Sequence, residues 1–229
     1  MLEELRKQVL EANLELVRRG LVLYTFGNAS GISRAEGLVA IKPSGVPYEG
    51  MRPEDLVIAD LAGRIVEGTL RPSSDLDTHL ALYRSFPAIG GVVHTHSRYA
   101  TSWAQARRPI PCLGTTHADY FRGPVPVTRA MSPAEIEDAY EANTGEVIVR
   151  HFAGCDPMEM PAVLVAGHGP FCWGSSAAEA AHNAVILEYI AEMAYYSVRL
   201  AEGPQELHPA HLDKHFLRKH GASAYYGQK

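Results

Sequence analysis

The stretch that decides the fold is Gly90-Gly-Val-Val-His-Thr-His96. Its first half is small and apolar, which is typical of a buried β-strand, and its second half carries two imidazoles. Residues i and i+2 of a strand face the same side of a sheet, so His94 and His96 are expected to reach one metal ion together. An H-x-H pair alone more often makes ordinary hydrogen bonds than a metal site, so this hypothesis depends on the surrounding residues.

Two residues outside this stretch strengthen the metal hypothesis. His168 lies at the end of a second apolar strand signal, Ala-Val-Leu-Val-Ala-Gly-His-Gly, and Asp75 lies at the predicted N-terminus of a helix. Three imidazoles and one carboxylate suit Zn²⁺, with Mn²⁺ and Co²⁺ as alternatives. His79 competes with Asp75 for this role, because it stands four residues further along the same helix face.

Short runs of small polar residues occur three times near these signals. Each follows a strand signal or precedes a helix signal, where backbone N–H groups and serine hydroxyls can bind an anion. Lys42 would supply the positive charge. Each run alone is more often a plain turn, and only their combination with a metal site predicts a phosphate pocket. The residues in these runs are Gly27, Asn28, Ser44, Gly45, Ser73 and Ser74.

Strand and helix signals are intermixed along the whole chain, with no linker, low-complexity tract or repeat between them. This pattern predicts one α/β domain with a mixed sheet, in which antiparallel pairs are common because several strands are joined by short turns. Near the candidate site we expect a strand over residues 21–25 and a glycine loop over 26–31. Further on, Ser132 opens a helix that runs to about Asn143, and residues 147–149 form a strand.

Charge and cysteine content exclude several classes of protein. The 229 residues carry 21 Lys and Arg against 26 Asp and Glu, and the net charge of −5 argues against nucleic-acid binding. Eleven histidines against three cysteines, which form no C-x-x-C motif, favour chemistry by imidazole in a reducing compartment. The N-terminus resembles no signal peptide, and no apolar run approaches about 20 residues. We therefore expect a cytoplasmic protein with no membrane span.

Taken together, several of these segments resemble the class II aldolase and adducin head family. They span nearly the whole chain. The matching segments are residues 25–30, 41–45, 72–75, 94–97, 114–120, 168–170 and 212–228.

The resemblance implies a fold, an assembly and a set of site residues. It implies a single domain over residues 1–229, built as a three-layer α/β/α sandwich around a mixed, mostly antiparallel nine-stranded sheet. It also implies a C4 homotetramer whose active sites lie between subunits, with the tail 221–229 docked at an interface. Acid and base roles fall on Asp119 and Tyr226, with His215 as an auxiliary. The implied metal ligands are Asp75, His94, His96 and His168, and the implied phosphate-binding residues are those of the three polar runs together with Lys42.

Residues 115–120 and 225–228 are the segments more specific to the sugar-phosphate epimerases of this family. They imply a metal-dependent conversion of L-ribulose 5-phosphate to D-xylulose 5-phosphate at C4, by retro-aldol cleavage and re-addition, in carbohydrate metabolism such as arabinose catabolism. One alternative is a class II aldolase that releases a dihydroxyacetone-type product and an aldehyde. In the fuculose type a glutamate takes the place of Asp75, so the aspartate favours the epimerase. The other alternative is a non-enzymatic interaction domain like the adducin head.

Overall fold

A single antiparallel sheet forms the centre of the protein. The computed structural model describes residues 2–201 and 203–226. Within them seven strands pair in the order β4-β3-β2-β1-β5-β7-β6, and every neighbouring pair is antiparallel. The strands are β1 (Asn28–Ser33), β2 (Leu38–Ile41), β3 (Val57–Asp60), β4 (Ile65–Glu67), β5 (Gly91–His94), β6 (Ala162–Leu164) and β7 (Pro170–Gly174).

Eight α-helices in the described residues surround this sheet. They are α1 (Leu2–Arg18), α2 (Leu76–Ser85), α3 (Arg98–Gln105), α4 (Thr115–Ala118), α5 (Pro133–Glu137), α6 (Tyr140–His151), α7 (Ala177–Leu200) and α8 (Pro209–His220). None of the described helices combines the length and the apolar character needed to cross a membrane.

The α/β class expected from the sequence is confirmed, but the strand count of nine is wrong for the described residues. The two segments around Ile110 and Val125 meet only in one isolated bridge, and Val127 makes one parallel bridge to Leu164. Proline has no backbone N–H, so segments rich in proline cannot extend a hydrogen-bonded ladder. The prolines in question are Pro109, Pro111, Pro124 and Pro126.

Each face of the sheet has its own hydrophobic core. Successive residues of a strand point to opposite faces, so Val93 packs with α1, α3 and α7, while Val92 packs with α2 and α6. The same alternation places Ala40 in the first core and Val39 and Ile41 in the second. Helices therefore cover both faces, and the sheet is the middle of three layers.

Strand β5, which carries His94, lies unusually close to α7. A Cβ atom added to Gly91 would lie 2.4 Å from the backbone of Ala177, so only glycine permits this approach. The first core fills around this contact. The contact between Gly91 and Ala177 fixes the position of β5 relative to α7, and with it the position of the histidine at the end of the strand.

The predicted strand over 21–25 is wrong. No strand forms in this segment, because Tyr24 within it and Gly20 and Gly27 on either side have left-handed backbone, which interrupts an extended strand. Strand β1 begins instead inside the predicted glycine loop. Its small residues allow α1 to pack closely, since a Cβ on Gly31 would lie 2.8 Å from Val9.

The segment after Ser132 also differs from the prediction. The capping box at Ser132 is present, but the helix ends at Glu137 and a second helix starts at Tyr140. Ala139 has a left-handed backbone, with φ of 48°, and separates the two helices. The predicted strand over 147–149 is wrong because these residues belong to α6, where Ile148 is buried in the second core.

Candidate metal and phosphate site

Three histidines converge at one end of the sheet. His94 ends β5, His96 follows two residues later, and His168 lies in the turn between β6 and β7. One ring nitrogen from each lies within 4.8 Å of the others, and the Nε2 atoms of His94 and His96 are 3.0 Å apart. Antiparallel pairing of β5 with β7 brings these segments side by side. The two imidazoles of the H-x-H pair and the predicted third one therefore meet.

The surroundings of His94 define which nitrogen is free. Its Nδ1 lies 2.9 Å from the carbonyl oxygen of Pro170, which only accepts hydrogen bonds, so Nδ1 carries the proton and Nε2 presents a lone pair to the cluster. The ring is stacked on Phe171, with centroids 4.2 Å apart. A backbone carbonyl that orients an imidazole in this way is the usual support of a metal ligand.

The other two histidines are also suited to hold a metal. Burial lowers the pKa of His168 to about 4 and lowers that of His96, so both imidazoles are neutral at neutral pH. Neutral imidazoles with converging lone pairs match the donor set of Zn²⁺. Tyr140 OH lies 3.3 Å from His168 Nδ1 and supports that ring from the side. The residues therefore fit a divalent transition metal.

Asp75 lies in the same cavity but outside the group of three ligand nitrogens. It occupies the N-cap position of α2, yet its side chain makes no capping hydrogen bond there. Asn28 Nδ2 donates to its Oδ2 at 2.6 Å instead. Burial would raise the pKa of Asp75, but His94, His79 and the Asn28 hydrogen bond outweigh it and lower the pKa. Asp75 as fourth ligand stays a prediction.

The competing residue His79 lies away from the cluster. It is fully buried, and its Nδ1 lies 2.7 Å from Ser30 Oγ. Burial lowers its pKa to about 3, so the imidazole is neutral. Its ring is not among the nitrogens that converge with His94.

One cavity of about 440 Å³ contains both predicted sets of residues. The histidines and Asp75 lie at one side, and the three polar runs supply further walls. Among the lining residues are all of the predicted phosphate-binding residues: Gly27, Asn28, Lys42, Ser44, Gly45, Ser73 and Ser74.

Lys42 is the cation of this cavity. Its side chain is buried, its Nζ donates to the carbonyl of Val46 at 2.8 Å, and Nζ lies 4.6 Å from the ring centre of Tyr48. Burial lowers the pKa of Lys42 to about 8. An ammonium with incomplete solvation attracts an anionic group more strongly than a hydrated surface lysine does.

Backbone hydrogen bonds hold the polar runs against one another. Ser44 N donates to Arg71 O, and Ser73 N donates to Lys42 O, both at 2.9 Å. Gly27 is needed at its position, because it has φ of 74° and an added Cβ would lie 2.9 Å from the His94 carbonyl. These contacts place the three runs and the histidines in a fixed arrangement before any ligand binds.

Sequence reasoning missed two residues that line the cavity, Tyr140 and Glu141. They enter the site because the chain turns at Ala139, between two helices that appear continuous in the sequence. Thr78 Oγ1 donates to Glu141 O at 2.6 Å and holds the start of α6 against α2. No local signal marks this turn, because Ala139 is neither glycine nor proline and Ile136 and Tyr140 keep helical spacing.

The three predicted acid and base residues lie elsewhere on this chain. Asp119, His215 and Tyr226 do not line the cavity. Asp119 follows α4 and faces α8, where it accepts from Arg218 at 2.9 Å and lies 3.0 Å from His215 Nδ1. Tyr226 is 59% exposed, and its ring lies 4.6 Å from the Arg218 guanidinium. We refer to Asp119, His215, Arg218, Lys219 and Tyr226 as the α8 cluster.

Charge keeps Asp119 ionised within the α8 cluster. Burial would raise the pKa of Asp119, but the hydrogen bonds from Arg218 and His215 and the charge of Lys219 outweigh it, so the pKa is lowered. Lys219 Nζ is 3.8 Å from the carboxylate. The cluster thus holds a carboxylate proton acceptor beside an exposed phenol.

Comparison with known proteins identifies the family. Residues 7–195 match the family described as the Class II Aldolase and Adducin N-terminal domain. The chain belongs to this family. The converging histidines and the adjoining polar loops all lie within the matched residues.

More specific likenesses come from individual proteins. The chain is 52% identical, over the full length of both sequences, to proteins named L-ribulose-5-phosphate 4-epimerase UlaF from Salmonella paratyphi A and Salmonella typhi. Among solved structures it is similar to an L-fuculose 1-phosphate aldolase, with a TM-score of 0.78 and 26% identity over 93% of this chain and 94% of the other. The L-fuculose-1-phosphate aldolase of Thermus thermophilus has a TM-score of 0.68 and 28% identity, over 90% of this chain and 100% of the other.

Proposed function

We propose that this chain is a metal-dependent isomerase that interconverts L-ribulose 5-phosphate and D-xylulose 5-phosphate by inverting C4. The full-length likeness to two proteins with the 4-epimerase name supports this reaction. The observation that carries the proposal is the single cavity that combines three converging imidazoles with Lys42 and the polar loops. A phosphorylated ketopentose has oxygen ligands at one end and a dianion at the other, and it matches both parts.

Inversion at C4 requires breaking a carbon–carbon bond. The C4 hydrogen is not acidic, so direct deprotonation is unavailable, whereas cleavage between C3 and C4 is open to a retro-aldol step. A base removes the C4 hydroxyl proton, the C3–C4 electron pair moves toward C2 and its oxygen, and glycolaldehyde phosphate forms. Zn²⁺, which His94, His96 and His168 would hold together with Asp75, supplies Lewis-acid stabilisation of that oxygen charge when bound. Mn²⁺ and Co²⁺ suit the same donors.

The polar loops then keep the two fragments together. Lys42 and the loop hydroxyls and amides hold the phosphate of the two-carbon aldehyde while its carbonyl turns its opposite face toward C3. Re-addition forms the C3–C4 bond again, and the new C4 oxygen takes up a proton. Because that oxygen arises on the other side, two proton carriers at two positions serve the reaction.

Asp119 and Tyr226 are the proton carriers in this proposal, and His215 assists them. Their absence from the cavity of their own chain supports an arrangement in which the α8 cluster of one subunit completes the cavity of its neighbour. We therefore propose a homotetramer with active sites between subunits. The C-terminal tail 221–229 docks at that interface; its residues 227–229 lie outside the described ranges.

The remaining proposals concern the chain as a whole. We propose that residues 1–229 form one class II aldolase-like domain, since α1 at one end and α7 near the other pack in the same core. Cys112, Cys155 and Cys172 are free thiols, which favours a reducing cytoplasm.

A class II aldolase that releases its products is the second candidate. The observation that favours it is the structural likeness to L-fuculose 1-phosphate aldolases. Incubation with L-ribulose 5-phosphate, with and without chelator, separates the candidates. We expect chelator-sensitive formation of D-xylulose 5-phosphate without free dihydroxyacetone. Accumulating dihydroxyacetone would identify an aldolase, and a purified protein that neither contains metal nor responds to added metal would match an adducin-like interaction domain.

A further inference from the structure

A row of buried polar side chains crosses the otherwise apolar contact between β1 and α2. Asp75, His79 and Tyr83 are spaced four residues apart and share one face of the helix. Asn28 and Ser30 are spaced by two and share one face of the strand. At the cavity end, Asn28 donates to Asp75. Deeper in the core, Ser30 Oγ lies 2.7 Å from His79 Nδ1 and 2.8 Å from Tyr83 OH.

The deep part of this row is unlike an ordinary core. Ser30, His79 and Tyr83 have no exposed surface. Buried polar groups that lack partners cost about 1–3 kcal/mol each, so a polar row in a core is retained only when its hydrogen bonds are nearly complete. None of these three side chains has a role in the proposed catalytic steps.

Counting protons gives the direction of the hydrogen bonds. The Tyr83 hydroxyl has one proton to donate, and its side-chain partner in the described residues is Ser30 Oγ. If Tyr83 donates to Ser30, then the Ser30 hydroxyl donates to His79 Nδ1, and both hydroxyl protons are used. The reverse order leaves the phenol proton with no acceptor. The direction from Tyr83 through Ser30 to His79 is therefore favoured. In that direction His79 Nδ1 accepts, so the proton of the neutral imidazole is on Nε2.

The Nε2 atom of His79 takes no part in the hydrogen bonds of the row. His79 Nε2 is buried and has no hydrogen-bond partner among the described residues. His79 stands one helical turn after Asp75, and Asp75 is the acidic group whose charge acts on it. We propose that Tyr83, Ser30 and His79 form a positioning chain that fixes the orientation and tautomer of His79 one helical turn from Asp75, and so sets how tightly the cavity binds its divalent metal. The inference rests on the proposed function in that the site must bind metal.

The tautomer of His79 tests the first half of the inference. Nitrogen NMR of protein labelled with ¹⁵N-histidine distinguishes a protonated ring nitrogen from an unprotonated one, and the missing signals of a His79→Asn variant assign the residue. We expect the proton on Nε2 in the wild-type protein, both metal-free and zinc-loaded. A proton on Nδ1 would overturn the inference.

Zinc titration tests the second half. Changes to groups that orient metal ligands lower metal affinity about 10–100-fold. We expect Ser30→Ala to lower zinc affinity by about tenfold, the smaller loss in that range. Tyr83→Phe should lose less, because the Ser30–His79 hydrogen bond remains. His117→Asn is the matched control. His117 is another buried neutral histidine, bonded to Gly123 O and outside the cavity, and its variant should lose stability without losing zinc affinity.

The outcomes separate the inference from the proposed function. Wild-type zinc affinity in Ser30→Ala, with zinc bound normally by the wild-type protein, would overturn the positioning chain and leave the isomerase proposal intact. Absence of zinc binding and of metal-dependent turnover in the wild-type protein would overturn the proposed function and the inference with it.

Discussion

The cavity and the α8 cluster differ in how the chain builds them. The cavity is assembled from strand ends and loops that backbone hydrogen bonds tie together, and it includes the buried side chains of Asn28, Lys42 and His94. The α8 cluster lies on the last helix and tail, and its phenol is more than half exposed. The cavity groups line one pocket of a single chain, whereas the charged groups of the α8 cluster pair with one another away from that pocket. In the proposed function, the binding groups and the proton carriers meet only when two copies associate.

Among the changes to the cavity, removal of a metal ligand should lower activity most. We expect His96→Asn to lose zinc and to lower kcat by about 10³-fold, since Lewis-acid stabilisation contributes several kcal/mol. His96 is exposed, so the fold should survive, with an unchanged circular dichroism spectrum. His151→Asn, at an exposed position on α6, is the control and should keep zinc and turnover. Normal zinc content in His96→Asn would contradict this assignment.

The second prediction removes the proton carriers and leaves the cavity intact. Asp119→Asn and Tyr226→Phe should each lower kcat by about 10²–10⁴-fold, the usual contribution of a positioned acid or base. Zinc content should remain at the wild-type level, because neither residue lines the cavity. Wild-type turnover in both variants would exclude the α8 cluster from catalysis.

Lys42→Met should weaken substrate binding more than turnover. A hydrogen bond to a charged group contributes about 1.5–3 kcal/mol, so we expect KM to rise about 10–100-fold. The ammonium exists below its pKa of about 8, so kcat/KM of the wild type should fall as pH rises through that value, and this limb should be absent in the variant. Lys7→Met, at an exposed position on α1, should leave KM unchanged.

The lowered pKa of Lys42 also predicts how the free energy of unfolding depends on pH. Between pH 8 and the ordinary lysine pKa of 10.5, the unfolded chain binds more protons than the folded one, so stability should rise with pH in that interval. Urea unfolding at several pH values should show this rise in wild type and lose it in Lys42→Met. An equal rise in both proteins would assign it to another group.

Lys219→Met should have the smallest effect. Its Nζ is 3.8 Å from Asp119, whereas Arg218 makes two hydrogen bonds to the same carboxylate. A long ion pair near the protein surface contributes about 0–1 kcal/mol. The acid limb of the kcat/KM profile should therefore move to higher pH by less than about one unit. A larger shift would mean that Lys219, rather than Arg218, keeps Asp119 ionised.

Sequence reasoning located the elements whose signals are local. Strand β2 coincides with the apolar run Leu38–Ile41, and α8 begins at Pro209, a residue type favoured at the first helical position, so short-range patterns determine both. β1 was missed because its small residues carry little strand propensity and form a strand only between β2 and β5. Residues 147–149 have strand propensity but belong to α6, where packing on α2 decides the structure.

In the candidate site, too, residues in local motifs were predictable from the sequence, whereas residues brought in by tertiary structure were not. The H-x-H pair, His168 and the three polar runs were visible as local motifs, and they meet in the cavity. Tyr140 and Glu141 were not visible, because the left-handed turn at Ala139 that brings them in carries no glycine or proline signal. The roles of Asp119 and Tyr226 rest mainly on the family resemblance, and one chain by itself does not bring them to the cavity.

Complementation between two inactive variants tests the central claim, that one active site takes its parts from two subunits. His96→Asn lacks the metal half and Tyr226→Phe lacks a proton carrier, but a mixed oligomer contains interfaces with both intact. After unfolding, mixing and refolding of equal amounts, we expect turnover of L-ribulose 5-phosphate to recover to about one quarter of wild type, the share of intact pairings in random assembly. Activity that never exceeds the sum of the two separate variants would contradict the shared site.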